Sequence, residues 1–345
     1  MLDDANVIAR RDTQQALEVA AEQWQQVLYA TPLHHGAHDG RTLRRVVVAG
    51  MGGSALAALI MKNWLETELA LPIEVVRTYT LPHYVDAETL VLCSSYSGNT
   101  EETVACLEDA MNRGAQIAVI ASGGKLADIA ATQDIAFAEL PSGLQPRMAV
   151  LYSLRAILKL LAHFNVADVQ YHDTLAEYSQ WLQQESSQWV STVSVDQNPA
   201  KQLALLSVGK TPIFHAGHVM FPIAYKWKIS WNETAKNVAF CTELPEFNHN
   251  EFMGWASHPI EKPFAVFDIM SSFEHPQIHK RFQLSDKLLS GRRPKAHTIN
   301  LQGDSVIAQM LWGCILADFA SIYTAILNGV DPTPVPLIEK LKTQL

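Results

Sequence analysis

Short runs of apolar, largely β-branched residues alternate with helical segments in both halves of this chain, and this alternation limits the fold more than any other feature. The runs in the first half are residues 45–50, 73–79, 89–95 and 116–122. Those in the second half are residues 211–217, 263–269 and 296–302. Continuous apolar strands separated by helices indicate a parallel sheet with helices on both faces. The sequence therefore predicts a doubly wound α/β fold.

The same strand–glycine–helix pattern opens both halves, which indicates two related domains. A run of valines ends at Gly50, and a second apolar run ends at Gly217. We predict an N-terminal helical extension over residues 1–40, a first domain over 41–165, a linking helix over 166–198, and a second domain over 199–345 that includes a C-terminal helix.

Composition and charge argue against several classes of partner. The net charge of −9 leaves no dominant basic patch, so nucleic acid is not expected to bind. The four cysteines have no C-x-x-C spacing, which is typical of a reducing compartment, and the first residues lack the apolar core of a signal peptide. Residues 311–327 are apolar but include Asp318, which indicates a buried helix rather than a membrane span. We therefore predict a cytoplasmic protein with no membrane partner.

The first candidate site is the turn that follows the first strand. In the segment A-G-M-G-G-S-A, Gly52, Gly53 and Ser54 stand where a strand passes into a helix. Backbone N–H groups at a helix N-terminus have no partner within the helix and attract an anion. A tight structural turn is the alternative. A dinucleotide fingerprint is disfavoured because Ala55 stands at its last glycine position.

The second candidate site is the segment C-S-S-Y-S-G-N-T-E-E-T, residues 93–103, which also follows a strand and precedes a helix. Ser95, Ser97 and Thr100 place hydroxyl groups around a glycine. Hydroxyls that converge with free amides suit a phosphate monoester, whose oxygens need several donors at once. A helix N-cap is the alternative, but a cap uses one hydroxyl rather than several.

A third polar segment, residues 231–255, contains Glu233 and His249. Its N-H-N-E run is predicted to hydrogen-bond a ligand or its own neighbours, so His249 is either a catalytic or a structural residue. The remaining histidine clusters lack the spacing of a zinc site, and we expect no metal. These clusters are His34, His35 and His38, and His215 with His218.

Four segments in order, G-M-G-G-S, S-S-Y-S-G-N-T-E-E-T, N-E-T-A-K and E-L-P-E-F-N-H-N-E, resemble the bifunctional phosphoglucose/phosphomannose isomerase family, as does D-P-T-P-V-P-L-I-E-K-L-K near the end. The resemblance implies two sugar isomerase (SIS) domains, each a flavodoxin-like, doubly wound parallel sheet flanked by helices. It also implies an aldose–ketose isomerase that interconverts glucose 6-phosphate and mannose 6-phosphate with fructose 6-phosphate. The implied route is a cis-enediol, with neither a metal nor a cofactor.

The resemblance further implies a role for each matching residue. Glu233 would move the proton between C2 and C1, while His249 and Lys340 would open the sugar ring. Arg147, in P-S-G-L-Q-P-R, would stabilise the enediolate, and Thr333 would accept the mannose epimer. The phosphate contacts map to Gly52, Gly53, Ser54, Ser95, Ser97 and Thr100. The implied functional unit is a homodimer in which one subunit donates its histidine to the other's site.

Two alternatives stay open. A non-catalytic SIS module that senses a sugar phosphate needs the serine-rich segment, but it does not need Glu233, His249 and Lys340 together. An amino-sugar isomerase is a second possibility, but no glutamine-hydrolysing domain is evident in the sequence.

Overall fold

The computed structural model describes residues 1–36, 38–257, 263–342 and 344. Its strands are β1 (Leu33–His34), β2 (Arg45–Gly50), β3 (Ile73–Val76), β4 (Thr89–Ser94), β5 (Gln116–Ala121), β6 (Ala136–Glu139), β7 (Thr211–Gly217), β8 (Phe240–Leu244), β9 (Phe264–Met270) and β10 (His297–Asn300). Its α-helices are α1 (Ala5–Arg11), α2 (Ala16–Ala21), α3 (Gly52–Trp64), α4 (Glu101–Asn112), α5 (Gly124–Thr132), α6 (Val150–His163), α7 (Val169–Glu177), α8 (Ser179–Ser186), α9 (Pro199–Ser207), α10 (Phe221–Glu233), α11 (Glu251–Gly254), α12 (Pro276–Leu288), α13 (Val306–Asn328) and α14 (Pro336–Lys342).

The chain forms two compact units. The first unit is Gln23–Gln180, and the second unit combines Met1–Glu22 with Trp181–Leu345. The residues predicted as an N-terminal extension are therefore divided between the two units. The segment predicted as one linking helix forms two helices, α7 and α8, and the chain passes from one unit to the other within α8.

The N-terminal segment begins with two short helices, α1 and α2, and Asp12 lies between them. The buried Asp12 carboxylate accepts hydrogen bonds from the backbone N–H groups of Ala16 (2.7 Å) and Leu17 (2.9 Å), and it thereby caps α2. The ammonium group of Lys201, whose side chain is fully buried, donates to Asp3 at 2.8 Å. This buried cation holds the first residues of the chain within the second unit.

The first sheet has the strand order β3-β2-β4-β5-β6-β1, in which β2 to β6 are parallel and β1 is antiparallel to β6. Counted along the parallel strands, this is the flavodoxin-like order that the resemblance implies. The order reverses between β2 and β4. Ligands of open α/β sheets bind at such a switch point, outside the carboxyl ends of the strands.

The second sheet repeats this order over four parallel strands, β8-β7-β9-β10, and its own switch point lies between β7 and β9. The doubly wound α/β prediction is therefore confirmed in both units. The sequence analysis did not predict three of the strands: β1, β6 and β8. Each is short, and β8 (F-C-T-E-L) contains the polar pair Thr242 and Glu243 instead of forming a continuous apolar run.

Helix α13 has the length and composition of a membrane-crossing helix, but 94% of its most apolar window is buried inside the protein. Within it, Asp318 accepts hydrogen bonds from the ammonium of Lys226 (2.5 Å) and the hydroxyl of Ser230 (3.0 Å) on α10. Both charged side chains are 1% exposed, so each neutralises the other in the core. The charged residue in this apolar segment thus has an internal partner.

Candidate active site

The glycine turn, residues 50–54, lies at the switch point of the first sheet, where β2 ends and α3 begins. The N–H groups of Gly52 and Gly53 open α3 and have no partner within that helix. A Cβ on Gly53 would lie 2.6 Å from the carbonyl oxygen of Pro146. Only glycine lets this turn pack so closely against the segment that carries Arg147.

The serine loop, residues 95–100, leaves the neighbouring strand β4 at the same edge of the sheet. The hydroxyl oxygens of Ser95 and Thr100 are 2.7 Å apart, and Ser97 is exposed. Thr100 occupies the N-cap position of α4, but its side chain makes no capping hydrogen bond. The N-cap interpretation therefore does not account for these hydroxyls. Two hydroxyls bonded to each other retain a donor for a ligand.

Tyr96, which sequence reasoning passed over, joins the two turns. Its backbone N–H donates to the Ser54 hydroxyl at 3.2 Å. Its phenol donates to the Pro141 carbonyl at 2.7 Å and accepts from the Leu144 N–H at 3.0 Å. The only sequence signal was an aromatic residue between the serines. Tyr96 fixes the serine loop to the glycine turn and to the P-S-G-L-Q-P-R segment.

Arg147 lies in a short 3-10 turn, Pro146–Met148, against the glycine turn. Its side chain is buried, with 2% of the residue exposed, and a guanidinium nitrogen lies 3.3 Å from the amide oxygen of Gln145. The first unit therefore gathers the predicted phosphate residues at its switch point and places the Arg147 segment beside them.

In the second unit, Glu233 is the last residue of α10 and is partly exposed. The segment after it contacts the end of α13 and the chain beyond that helix. The Asn328 amide donates to the Ala235 carbonyl at 3.0 Å, and the Lys236 ammonium donates to the Pro332 carbonyl at 2.9 Å. Thr333 follows Pro332 directly. The structure thus brings the Glu233 and Thr333 segments together. Lys340 follows on α14, where its side chain is exposed.

His249 does not join this group within one chain. Glu233 precedes β8, whereas His249 follows the opposite end of that strand in a 3-10 turn. The five residues of β8 separate the two ends by about 13 Å at ~3.3 Å per residue. His249 is exposed at the carboxyl edge of the second sheet, and Glu233 lies at the amino edge.

The second sheet has its own turn at its switch point, between β7 and α10, and a carboxylate of the chain fills it. Glu274, which leaves β9, accepts hydrogen bonds from the N–H groups of Met220 (2.9 Å) and Val219. A Cβ on Gly217 would lie 2.4 Å from the Glu274 carboxylate. Burial raises the pKa of Glu274, and the two N–H groups partly oppose this rise.

The predicted histidine clusters pair with carboxylates. His34 lies 2.7 Å from Glu139, and His218 lies 2.7 Å from Glu243. Across the described part of the chain, no group of three or more histidine, cysteine, aspartate and glutamate side chains is arranged to hold a metal ion.

Comparison with known proteins covers both units. The SIS domain family matches residues 41–156, and the bacterial phospho-glucose isomerase C-terminal SIS domain matches residues 196–345. The bifunctional phosphoglucose/phosphomannose isomerase of Aquifex aeolicus is 33% identical over 310 residues, which is 90% of this chain and 92% of that protein. The protein of the same name from Caldicellulosiruptor bescii is 34% identical over 303 residues, which is 87% and 89% of the two chains.

Among solved structures, a glucose-6-phosphate isomerase like protein from Thermus thermophilus superposes with a TM-score of 0.66 at 19% identity. The superposition covers 99% of this chain and 98% of that one, so the two share a fold. The two SIS domains expected from the motifs are confirmed. On the identity and coverage of its relatives, this chain belongs to the bifunctional phosphoglucose/phosphomannose isomerase family.

Proposed function

We propose that this chain interconverts glucose 6-phosphate, and with it mannose 6-phosphate, with fructose 6-phosphate by proton transfer through a cis-enediol. The names of its relatives support this reaction, and the first unit supports the substrate class. The observation that carries the proposal is the pair of hydroxyls on Ser95 and Thr100, which lie at a switch point and do not cap the helix behind them. No metal or cofactor takes part in the proposed reaction.

The glycine turn and the serine loop would hold the phosphate. Free N–H groups at the start of α3 and the hydroxyls of Ser95, Ser97 and Thr100 supply several donors to one dianion. Binding energy at this remote end would orient C1 and C2 without taking part in the chemistry. Arg147 stays cationic at any working pH, and it would stabilise the negative oxygen of the enediolate.

Glu233 would take the proton from C2 and return it to C1. His249 and Lys340 would open the ring by proton transfer at the ring oxygen and the anomeric hydroxyl. Thr333 would admit the mannose epimer. It follows Pro332, whose carbonyl accepts a hydrogen bond from Lys236 in the segment after Glu233.

We also propose a homodimer with shared sites. Glu233 and His249 lie at opposite edges of one sheet, so a substrate that meets both groups would take them from different copies of the chain. The exposure of His249 agrees with donation to a partner. All four cysteines are free thiols, which supports the cytoplasmic location expected from the sequence.

Replacing the proposed base tests the function. Glu233→Gln is expected to lower kcat for glucose 6-phosphate by about 10²–10⁴-fold, because a carboxamide cannot accept the C2 proton. The Kd for fructose 6-phosphate, measured by calorimetry, is expected to stay near the wild-type value. The exposed Glu22→Gln serves as a matched control. Near-normal turnover by Glu233→Gln would refute the base assignment.

Mixing two inactive variants tests the shared site. If each site combines Glu233 of one chain with His249 of another, then Glu233→Gln and His249→Asn chains, unfolded and refolded together, recover part of the activity. Mixed dimers that stay inactive would show that the two residues serve the site of their own chain.

A side-by-side assay on glucose, mannose and glucosamine 6-phosphates separates the isomerase from an amino-sugar enzyme. A folded wild-type chain that binds these compounds and converts none is a sensor.

A further inference from the structure

We propose that His215, a buried histidine outside the predicted site, is a positioning residue that holds the His249 loop in place through Glu251. This inference rests on the proposed function, because it matters only if His249 acts in the reaction. The loop in question, residues 246–251, comprises a 3-10 turn (Glu246–His249), Asn250, and Glu251 at the start of α11.

Strand register places a polar row inside an apolar core. His215 on β7 lies level with Thr242 on β8 and with Asp268 on β9, all on one face of the second sheet. The positions two residues away on this face are apolar: Ile213, Leu244 and Val266 belong to one hydrophobic cluster. A polar row inside such a cluster is costly unless its members satisfy one another.

The row is linked through the imidazole of His215. Its Nδ1 lies 3.0 Å from a carboxylate oxygen of Asp268, and its Nε2 lies 3.7 Å from a carboxylate oxygen of Glu251. The other oxygen of Glu251 accepts a hydrogen bond from the Thr242 hydroxyl at 2.6 Å. The side chain of His215 is 2% exposed, so solvent cannot replace either partner. The ring of Phe247 packs against the imidazole, with centroids 4.6 Å apart.

Charge explains why a histidine stands here. Burial by itself lowers the pKa of His215, but two nearby carboxylates outweigh it and raise this pKa above its usual value. The Asp268 carboxylate lies within hydrogen-bond distance of Nδ1, and the Glu251 carboxylate lies within ion-pair distance of Nε2. Burial in turn raises the pKa of Glu251, yet His215 and Thr242 lower it overall. The His215 imidazole and the Glu251 carboxylate therefore each stabilise the charged form of the other. Without His215, Glu251 would keep its hydrogen bond from Thr242 but would lose its contact with β7.

The loop is tied down on both sides of His249. On one side, the Asn248 amide donates to the Ser285 hydroxyl at 2.9 Å and accepts from the Arg281 guanidinium at 3.2 Å. On the other side, Glu251 reaches His215. His249 itself is exposed between these two anchors. Removing His215 is therefore expected to release one anchor and shift the catalytic imidazole.

The test is His215→Asn, assayed with glucose 6-phosphate. We expect kcat to fall by about 10²-fold, as for misplacement of a reacting group by about 1 Å. KM should change by less than about threefold, because the phosphate residues belong to the first unit. His218→Asn is the matched control: it removes an ion-paired histidine just beyond the same strand and should leave kcat unchanged.

A second arm separates positioning from general destabilisation. The same change is then made in a His249→Asn background and assayed at high enzyme concentration. There, His215→Asn should lower kcat by less than about a further twofold, because it acts through His249. The inference would be overturned if His215→Asn lowered kcat in the His249→Asn background as much as it does in wild type. It would also be overturned by an unchanged kcat in a folded His215→Asn protein. If His215→Asn does not fold, Glu251→Gln takes its place with the same expectations in both backgrounds. A wild-type chain without isomerase activity would defeat the proposed function instead.

Discussion

The switch points of the two sheets present the same backbone geometry to different occupants. In the first unit, the glycine turn and the serine loop lie together and supply hydroxyl and amide donors. In the described contacts, no carboxylate of the chain accepts hydrogen bonds from these donors. In the second unit, the corresponding turn donates its N–H groups to the carboxylate of Glu274. The glycine that ends each strand, Gly50 or Gly217, allows the close approach in both cases.

This difference shows which part of a switch point is set by the fold and which part is set by the individual loop. A parallel strand leading into a helix always presents N–H donors that favour an anion. The loop from the adjacent strand decides whether that anion is a substrate phosphate or a side chain. A duplicated fold can therefore carry one phosphate site, with the second turn closed by its own glutamate.

Removing hydroxyls from the first switch point should have the largest effect. The double variant Ser95→Ala/Thr100→Val removes donors to a charged group, and we expect a loss of about 3 kcal/mol in substrate binding, or ~150-fold in KM. Steady-state kinetics with glucose 6-phosphate measures this change. Ser271→Ala is the matched control, because Ser271 follows β9 as Ser95 follows β4, and its KM should equal that of wild type. Equal effects of the two changes would mean that both switch points bind substrate.

Removing the Glu274 carboxylate from the second switch point should mainly lower the stability of the protein. Glu274→Ala leaves the N–H groups of Met220 and Val219 without their acceptor, and we expect the free energy of unfolding to fall by about 2 kcal/mol. Urea denaturation measures this loss. Acetate or inorganic phosphate should restore part of it, whereas Glu274→Gln, which keeps an acceptor, should respond less. A Glu274→Ala protein as stable as wild type, with or without added anions, would contradict the comparison.

The smallest expected effect is a pH dependence of stability that Glu274 imposes. Its pKa in the folded protein lies above the usual 4.5, mainly because it is buried, so the native state holds its proton to higher pH than the unfolded chain does. Its contribution is therefore fully present below about pH 4.5 and is lost as pH rises through the folded-state pKa. The stability difference between wild type and Glu274→Gln, measured in urea from pH 4 to 8, should decline over that window. A difference that grows with pH would reverse the assignment.

Much of the fold and part of the candidate site could be predicted because their signals are local. Continuous apolar runs marked β2, β4, β5, β7 and β9 almost to the residue. Strand β8 was missed because its stability comes from pairing with β7 rather than from its own composition. Glu274 had a faint signal: the segment S-S-F-E, residues 271–274, follows β9 as the serine loop follows β4, but it contains a glutamate.

By itself, the sequence determined the α/β class, the two related halves, the family, and the residues expected to meet a sugar phosphate. These depend on periodicity and on motifs read over short stretches of chain. Only the tertiary structure decided that Tyr96 joins two turns, that Glu274 closes the second one, and that β8 separates Glu233 from His249. Each of these results depends on strand order, and strand order follows from the packing of segments that are distant in the chain.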